Sequence, residues 1–261
     1  KLSNDTGFGT GQGRVTQRWD GQGIFLRLQD GTALTLSALF LLLPLTLIAW
    51  DGIPHLLSLK QSVLWAALTS VIVSLISTLL TLALALPMAV AIGRGVRWVE
   101  LSGLLGIAAS PLVIGTGLFV IVFPFVNPAD LALAVTVLVN AVMALPFALR
   151  ILVPGARDIL SDFDRLSQSL GLTGMIWVRL VLLPRLRPQI GFAAGLAAAL
   201  SMGDLGVITL FADSERATLP LQMYRLMGSY QMGAAAGAGL LLLGLSLLLF
   251  WVLDRGGRRR G

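Results

Sequence analysis

Few residues in this sequence are placed to do chemistry. The one that stands out is a carboxylate inside an apolar run. Asp204 sits in Leu200-Ser201-Met202-Gly203-Asp204-Leu205-Gly206-Val207, within the apolar stretch 189–212. If that run crosses a bilayer, the charge costs roughly 2.5–3.5 kcal/mol on insertion scales, so it is kept for a use. Two uses fit: a functional polar group on a pathway, or a structural hydrogen bond to the Gly203 and Gly206 backbones or a neighbouring helix. Nothing else completes a reactive set. There is no Cys, which excludes a disulfide, a thiolate metal site and a cysteine nucleophile. There is one histidine, His55, in a loop beside Pro54. We expect no catalytic residue, no metal and no cofactor. The glycines at 7, 9, 11, 13, 21, 23 and 31 follow no strand and precede no Gly-Lys-Ser/Thr, so they read as a linker and not a phosphate cradle.

The elements that position Asp204 follow from composition. Of 261 residues, 56% are hydrophobic and 12% are charged. A soluble domain carries about 25% charged residues. The mean hydropathy is +0.86. Six apolar segments, at roughly 33–50, 62–92, 101–126, 131–151, 189–212 and 232–253, each approach the ~20 residues a span requires. The expected fold is therefore all-α and polytopic, with six transmembrane helices and the lipid bilayer as solvent. Residues 1–32 read as a linker, 33–254 as the membrane domain and 255–261 as a basic tail.

The charges then set the topology. Of 19 Lys and Arg, all but Lys60, Arg216 and Arg225 fall in the terminal segments and alternate connections. That asymmetry places both ends in the cytoplasm. It also accounts for the net charge of +6 without nucleic acid, and makes Arg258-Arg259-Arg260 an anchor. Trp50, Trp65, Trp98 and Trp251 lie near span ends, as an interfacial aromatic belt requires. Glycines and alanines at 103, 106, 108, 109 and 115, and again at 193–195 and 197–199, permit close helix approach. Proline inside spans is tolerated where neighbours satisfy the freed carbonyls.

The cytoplasmic stretch 152–188 is too long for a plain connection. Ala156, Ile159, Leu160, Phe163, Leu166 and Leu170 recur at helical spacing, opposite Asp158, Ser161, Asp162, Asp164, Arg165 and Gln168. Gly171 suits a left-handed helix end. Thr173 suits the cap of a second short helix through Met175, Ile176, Trp177 and Val178, with Pro184 and Pro188 stopping it. Two readings remain for such a pair: a docking device for a partner, or a helix lying on anionic lipid.

The residues of this loop resemble a known family, the permeases of ATP-binding-cassette importers. Their loop carries Glu-Ala-Ala, three residues, Gly, nine residues, then Ile-x-Leu-Pro. Here Gly171 is followed by nine residues and then Val181-Leu182-Leu183-Pro184, whereas Arg165-Leu166-Ser167 replaces Glu-Ala-Ala, after Asp164. The string Arg165-Leu166-Ser167-Gln168-Ser169-Leu170-Gly171 is similar to that of the family's thiamine and thiamine pyrophosphate branch. So are Ser201 to Val207, Thr218-Leu219-Pro220 and Gly228-Ser229-Tyr230. The likeness is best over about 145–253 and agrees in layout over 33–144.

The resemblance implies a type I (MetI-like) importer permease core in the bacterial inner membrane. It implies cytoplasmic ABC ATPase subunits, a periplasmic substrate-binding protein and another permease half as partners. The branch fuses two six-span halves, and this chain, which starts at Lys1, corresponds to the C-terminal one. Asp164, Arg165, Leu166, Ser167, Gly171, Leu172, Thr173, Gly174, Met175 and Pro184 would form the ATPase-coupling loop. Ser201, Gly203, Asp204 and Gly206 would form a gate or translocation path. Ferric-iron, sulfate and molybdate permeases have similar Ser-x-Gly-Asp/Glu strings and are the alternative. An ion-driven secondary transporter needs paired broken helices around several polar groups, whereas Asp204 stands nearly alone. An intramembrane enzyme lacks its reactive set.

Overall fold

The structure is a computed structural model that describes residues 23–108, 110–169, 171, 174–211 and 217–258. Residues 1–22, Leu172, Thr173 and the end of the basic tail lie outside it. Side chains 164–168 are likewise not described. The described elements are all helical. They are α1 (Ile24–Gly52), a 3₁₀ turn (Ile53–Ser58), α2 (Gln61–Gly93), α3 (Arg97–Ala108), α4 (Pro111–Val122) and α5 (Pro128–Ser169). After these come α6 (Gly174–Trp177), a π-helical turn (Val178–Leu182), α7 (Leu183–Met202), α8 (Ile208–Phe211), α9 (Leu219–Gly228) and α10 (Met232–Arg258). The chain divides into two units, Lys1–Leu47 and Ile48–Gly261.

In the first unit, α1 already begins at Ile24, so the end of the expected linker is helical. Thr32 and Thr35 return their hydroxyls to the Gln29 and Gly31 carbonyls at 2.9 and 2.8 Å. Such back-bonding removes polar hydrogens from an apolar surround without leaving the helix.

The second unit packs α2, α5 and α7 around one another, with α10 lying along α7. Four helices are long and apolar enough to cross a membrane by length and composition: Phe25–Ser58, Gln61–Gly93, Pro128–Phe163 and Met232–Arg258. The run expected as a third span, 101–126, is two helices of 12 residues each. At ~1.5 Å per residue each is about 18 Å long, against ~30 Å of hydrocarbon. Pro111 opens α4, and Ser110 before it is extended (φ −78°, ψ 138°), the conformation a following proline favours. Pro87 and Pro146 instead lie inside α2 and α5. Gly106 shows how one of these is accommodated. A Cβ there would come within 2.9 Å of the Val142 carbonyl, the oxygen that Pro146 deprives of its intrahelical donor.

Two further expectations change. The amphipathic helix expected within 152–188 is not separate from the fourth span, because α5 continues unbroken for 42 residues to Ser169. That is about 63 Å, some 30 Å beyond the hydrocarbon thickness. Loss of apolar character after Ile151 therefore does not mark the end of the helix. Pro184 and Pro188 do not stop a helix either. Pro184 sits in the first turn of α7 and Pro188 within it. The carbonyl that Pro188 deprives of its intrahelical donor is that of Pro184, in the first turn of α7. Just upstream, the Leu183 N–H reaches back to the Val178 carbonyl, a π-type bond that joins α6 to α7 through the proline.

The alanine-rich face of α7 packs as its small residues anticipate. A Cβ on Gly191 would meet the Gly257 Cα at 2.7 Å and the Leu253 carbonyl at 2.9 Å. One on Gly195 would meet the Phe250 carbonyl at 2.8 Å. These atoms are backbone and cannot swing aside. Gly191→Leu should therefore lower stability by roughly 1–3 kcal/mol, read as a reduced unfolding temperature in detergent. Gly117→Ala, inside α4 with nothing within 4 Å of the new Cβ, should not lower stability and should raise it by up to about 1 kcal/mol. Equal behaviour of the two variants would contradict the packing.

Candidate functional site

Two regions gather the residues singled out in the sequence, one at each end of α7. The first is the segment around Gly171. Gly171 has φ +68° and Gly174 φ +60°, the left-handed region that glycine enters at least cost. No atom lies within 4 Å of a Cβ built at Gly171. Its glycine is therefore required by backbone conformation and not by crowding. Asp164 to Ser167 lie on the last turns of α5.

The amphipathic face ahead of them is buried in protein. Ala156, Ile159 and Leu160 share a core with Ala89 and Ile92 of α2, Trp177 of α6 and Leu182 and Leu186 farther on. That observation favours a docking device over a helix lying on lipid. Two cations secure the base. The Arg185 guanidinium lies 3.7 Å from the Phe163 ring centre, and that of Arg94 lies 5.8 Å from Trp177. Cation–π contacts of this kind contribute roughly 0.5–2 kcal/mol. Above this base the side chains of Met175, Ile176 and Leu180 are 77%, 57% and 62% exposed. The result is a fixed base with an uncovered apolar tip.

The second region lies beyond the other end of α7. The helix stops at Met202, and the last backbone bonds, from Gly203 to Ala199 and from Asp204 to Ser201, are stretched to 3.4 Å. Asp204 Oδ1 accepts the Gly206 N–H at 3.3 Å, a turn typical of aspartate. The structural bond expected for Asp204 is thus present on one oxygen. Its other oxygen, Oδ2, is buried, and the Val207 backbone also faces the carboxylate. A Cβ on Gly206 would lie 3.4 Å from Pro111 Cβ, so the interruption after α7 adjoins the one between α3 and α4.

Ser201 is held from α5. Asn140, buried, donates through Nδ2 to Ser201 Oγ at 2.9 Å, with a longer approach to the Ser201 carbonyl at 3.4 Å. Asn140, Ser201 and Asp204 line a cavity of about 200 Å³ whose other walls include Met143, Phe147 and Leu200. Asn140 is absent from the expectations drawn from the sequence, although a lone carboxamide in an apolar span is a legible signal. Ser201 and Asp204 both line the cavity, Gly206 donates its N–H to Asp204, and Gly203 supplies the helix end. His55 binds locally. Its Nδ1 donates to the Asp51 carbonyl at 3.0 Å, and its ring packs on Gly233 of α10.

Comparison with known proteins follows this geometry. No family model matches the chain. The thiamine transport system permease protein ThiP of Escherichia coli is 34% identical over 241 residues, covering 88% of this chain and 45% of that protein. ThiP of Salmonella typhimurium is 33% identical over 255 residues, covering 92% of this chain and 47% of that protein. A putative 2-aminoethylphosphonate transport system permease protein, PhnV, of Salmonella paratyphi A is 25% identical over 248 residues, covering 88% of this chain and 94% of that protein. The helical fold and these relatives define the class: the chain is a polytopic helical membrane protein related to the permease proteins of transport systems. Within that class its kinship is with the thiamine transport permeases, of which it spans a little under half the length.

The Asn140–Ser201 bond can be tested on its own. A double-mutant cycle with Asn140→Ala and Ser201→Ala, followed by unfolding in detergent, should return a coupling of about 0.6–1.7 kcal/mol. Additive losses would mean that the contact does not hold α5 to α7.

Proposed function

We propose that this chain is the membrane-spanning half of an ATP-driven importer. It would carry thiamine or thiamine phosphates across the bacterial inner membrane by alternating access. Cytoplasmic ABC ATPase subunits supply the energy, a periplasmic substrate-binding protein delivers the cargo, and the other permease half completes the path. Both chain ends face the cytoplasm in this reading, which the Lys and Arg distribution supports. Identity to thiamine permeases favours thiamine over ferric iron, sulfate or molybdate.

The observation that carries the proposal is the coupling element, an apolar tip at Met175 and Ile176 on a base buried with α2 and α5. A docked ATPase covers the tip. When two ATPases close on ATP, the tip is displaced. Trp177 and Leu182 lie in the core shared by α2, α5 and α7, so the push passes into the helices instead of being absorbed. The 20 residues of α7 reach about 30 Å, from the coupling element to the break at Gly203. There Asp204, Ser201 and Gly206 act as the gate, beside the second break at Pro111.

Gly171 tests the coupling step. Valine in its left-handed conformation costs about 1–2 kcal/mol, so Gly171→Val should cut ATP-dependent uptake of labelled thiamine in proteoliposomes by roughly tenfold. Gly171→Asn, which tolerates that conformation, should retain most of it. Normal ATPase binding and uptake in Gly171→Val would remove the coupling role. Absence of thiamine uptake by the assembled wild-type transporter would remove the substrate.

A further inference from the structure

The cavity at the end of α7 has an uneven wall. From α5 it is lined by the Asn140 carboxamide with Met143 and Phe147, and from the end of α7 by Leu200, the Ser201 hydroxyl and the Asp204 carboxylate. No Lys or Arg is among its lining residues. Asp204 directs its carboxylate to the Gly206 N–H and the Val207 backbone, and it borders the cavity. An ionised carboxylate beside an apolar wall is stabilised by a nearby cation. The wall chemistry narrows which cation fits. A divalent metal needs several oxygen ligands, whereas here one carboxylate faces mostly apolar groups. An organic ring cation carries diffuse charge and sheds water more readily. It can pair with a carboxylate while its flat face lies on an aromatic or thioether surface.

We propose that this cavity is a binding site within the permease for the cationic ring of the transported molecule, with Asp204 as its counter-ion. Asn140 is a positioning residue, since it fixes Ser201 and through it the last turn of α7. The identity of the ring rests on the thiamine reading above, whereas the preference for a cation rests on the cavity alone. The site gives this half a selective step of its own, after delivery by any external binding protein.

The chain has no cysteine, so one can be introduced at the cavity wall as a probe. The experiment uses Met143→Cys in the assembled transporter, otherwise free of cysteine. It compares labelling by a trimethylammonium methanethiosulfonate with labelling by the sulfonate reagent of similar size. With Asp204 present, the cation-to-anion rate ratio should exceed that with Asp204→Asn by about tenfold. Thiamine should slow the labelling, and its neutral isostere, with carbon in place of the thiazolium nitrogen, should not. An equal ratio in the two backgrounds overturns the site. So does a lack of protection by thiamine in a transporter that imports thiamine. A cation preference in a transporter that does not import thiamine keeps the site and rejects thiamine as the cargo. Should Asp204→Asn fail to assemble, protection by thiamine and not by its neutral isostere supports the site, and equal protection by both overturns it.

Discussion

The unit from Ile48 onward depends on a row of small hydroxyls along α2. Ser70, Ser74, Ser77, Thr78 and Thr81 are buried on one face, which continues as Ala85 and Ala89. Lipid gives helices no hydrophobic reason to associate, so close packing and interhelical hydrogen bonds must do it. Ser74 donates to the Ala198 carbonyl of α7 at 2.8 Å. Ser77 and Thr81 reach the Val137 and Ala141 carbonyls of α5 at 3.2 and 3.3 Å. Ser70 accepts the Leu219 N–H at 2.7 Å and so satisfies the first turn of α9. Each bond is worth only about 0.6 kcal/mol on average in membranes. Together they fix the register of three helices on one surface, and the alanines between them let the backbones come near.

That arrangement links two places that are distant along α7. The hydroxyl row ends where Ala85, Ala89 and Ile92 take over, and there the core admits Trp177 and Leu182. A force applied at the coupling element therefore meets α2 before it meets lipid. Near its other end α7 is tied to α5 through Asn140 and Ser201. Beyond lies a second apolar cluster, with Val207, Ile208 and Phe211 against Val135 and Val139 of α5, and Phe119 of α4 edge-on to Phe211 at 5.3 Å. A helix clamped near both ends and interrupted just past one of them is suited to act as a rod, and the proposed coupling requires such a lever.

Much of this was legible in the sequence because lipid makes its demands in composition. Apolar runs, glycine at a left-handed turn and the Ala156–Phe163 stripe are local signals that correspond to observed features, whereas the carboxylate expected inside the span 189–212 lies just past the end of α7 at Met202. The losses occurred where a local signal has two outcomes. Proline is absorbed inside α2 and α5 at Pro87 and Pro146 but opens a new helix at Pro111, and at Pro146 the close approach of Gly106 covers the freed carbonyl. Polarity after Ile151 says nothing of where α5 ends. Thr218-Leu219-Pro220 leads into the buried start of α9, where Ser70, 149 residues away, accepts the Leu219 N–H. Asn140 and Ser201, 61 residues apart, pair only once the helices are placed.

The central claim is that the exposed tip of α6 is where this membrane protein receives force from a partner ATPase. Cross-linking measures it most directly. A cysteine in place of Met175 would be joined by a short bifunctional reagent to a cysteine in the groove of the ATPase, in the assembled transporter, with and without ATP. The account predicts an efficient cross-link whose yield shifts with the nucleotide and which is shielded from reagents added outside the cell. A Met175 position that never reaches the ATPase, or that reacts freely with an impermeant reagent from outside, would contradict it.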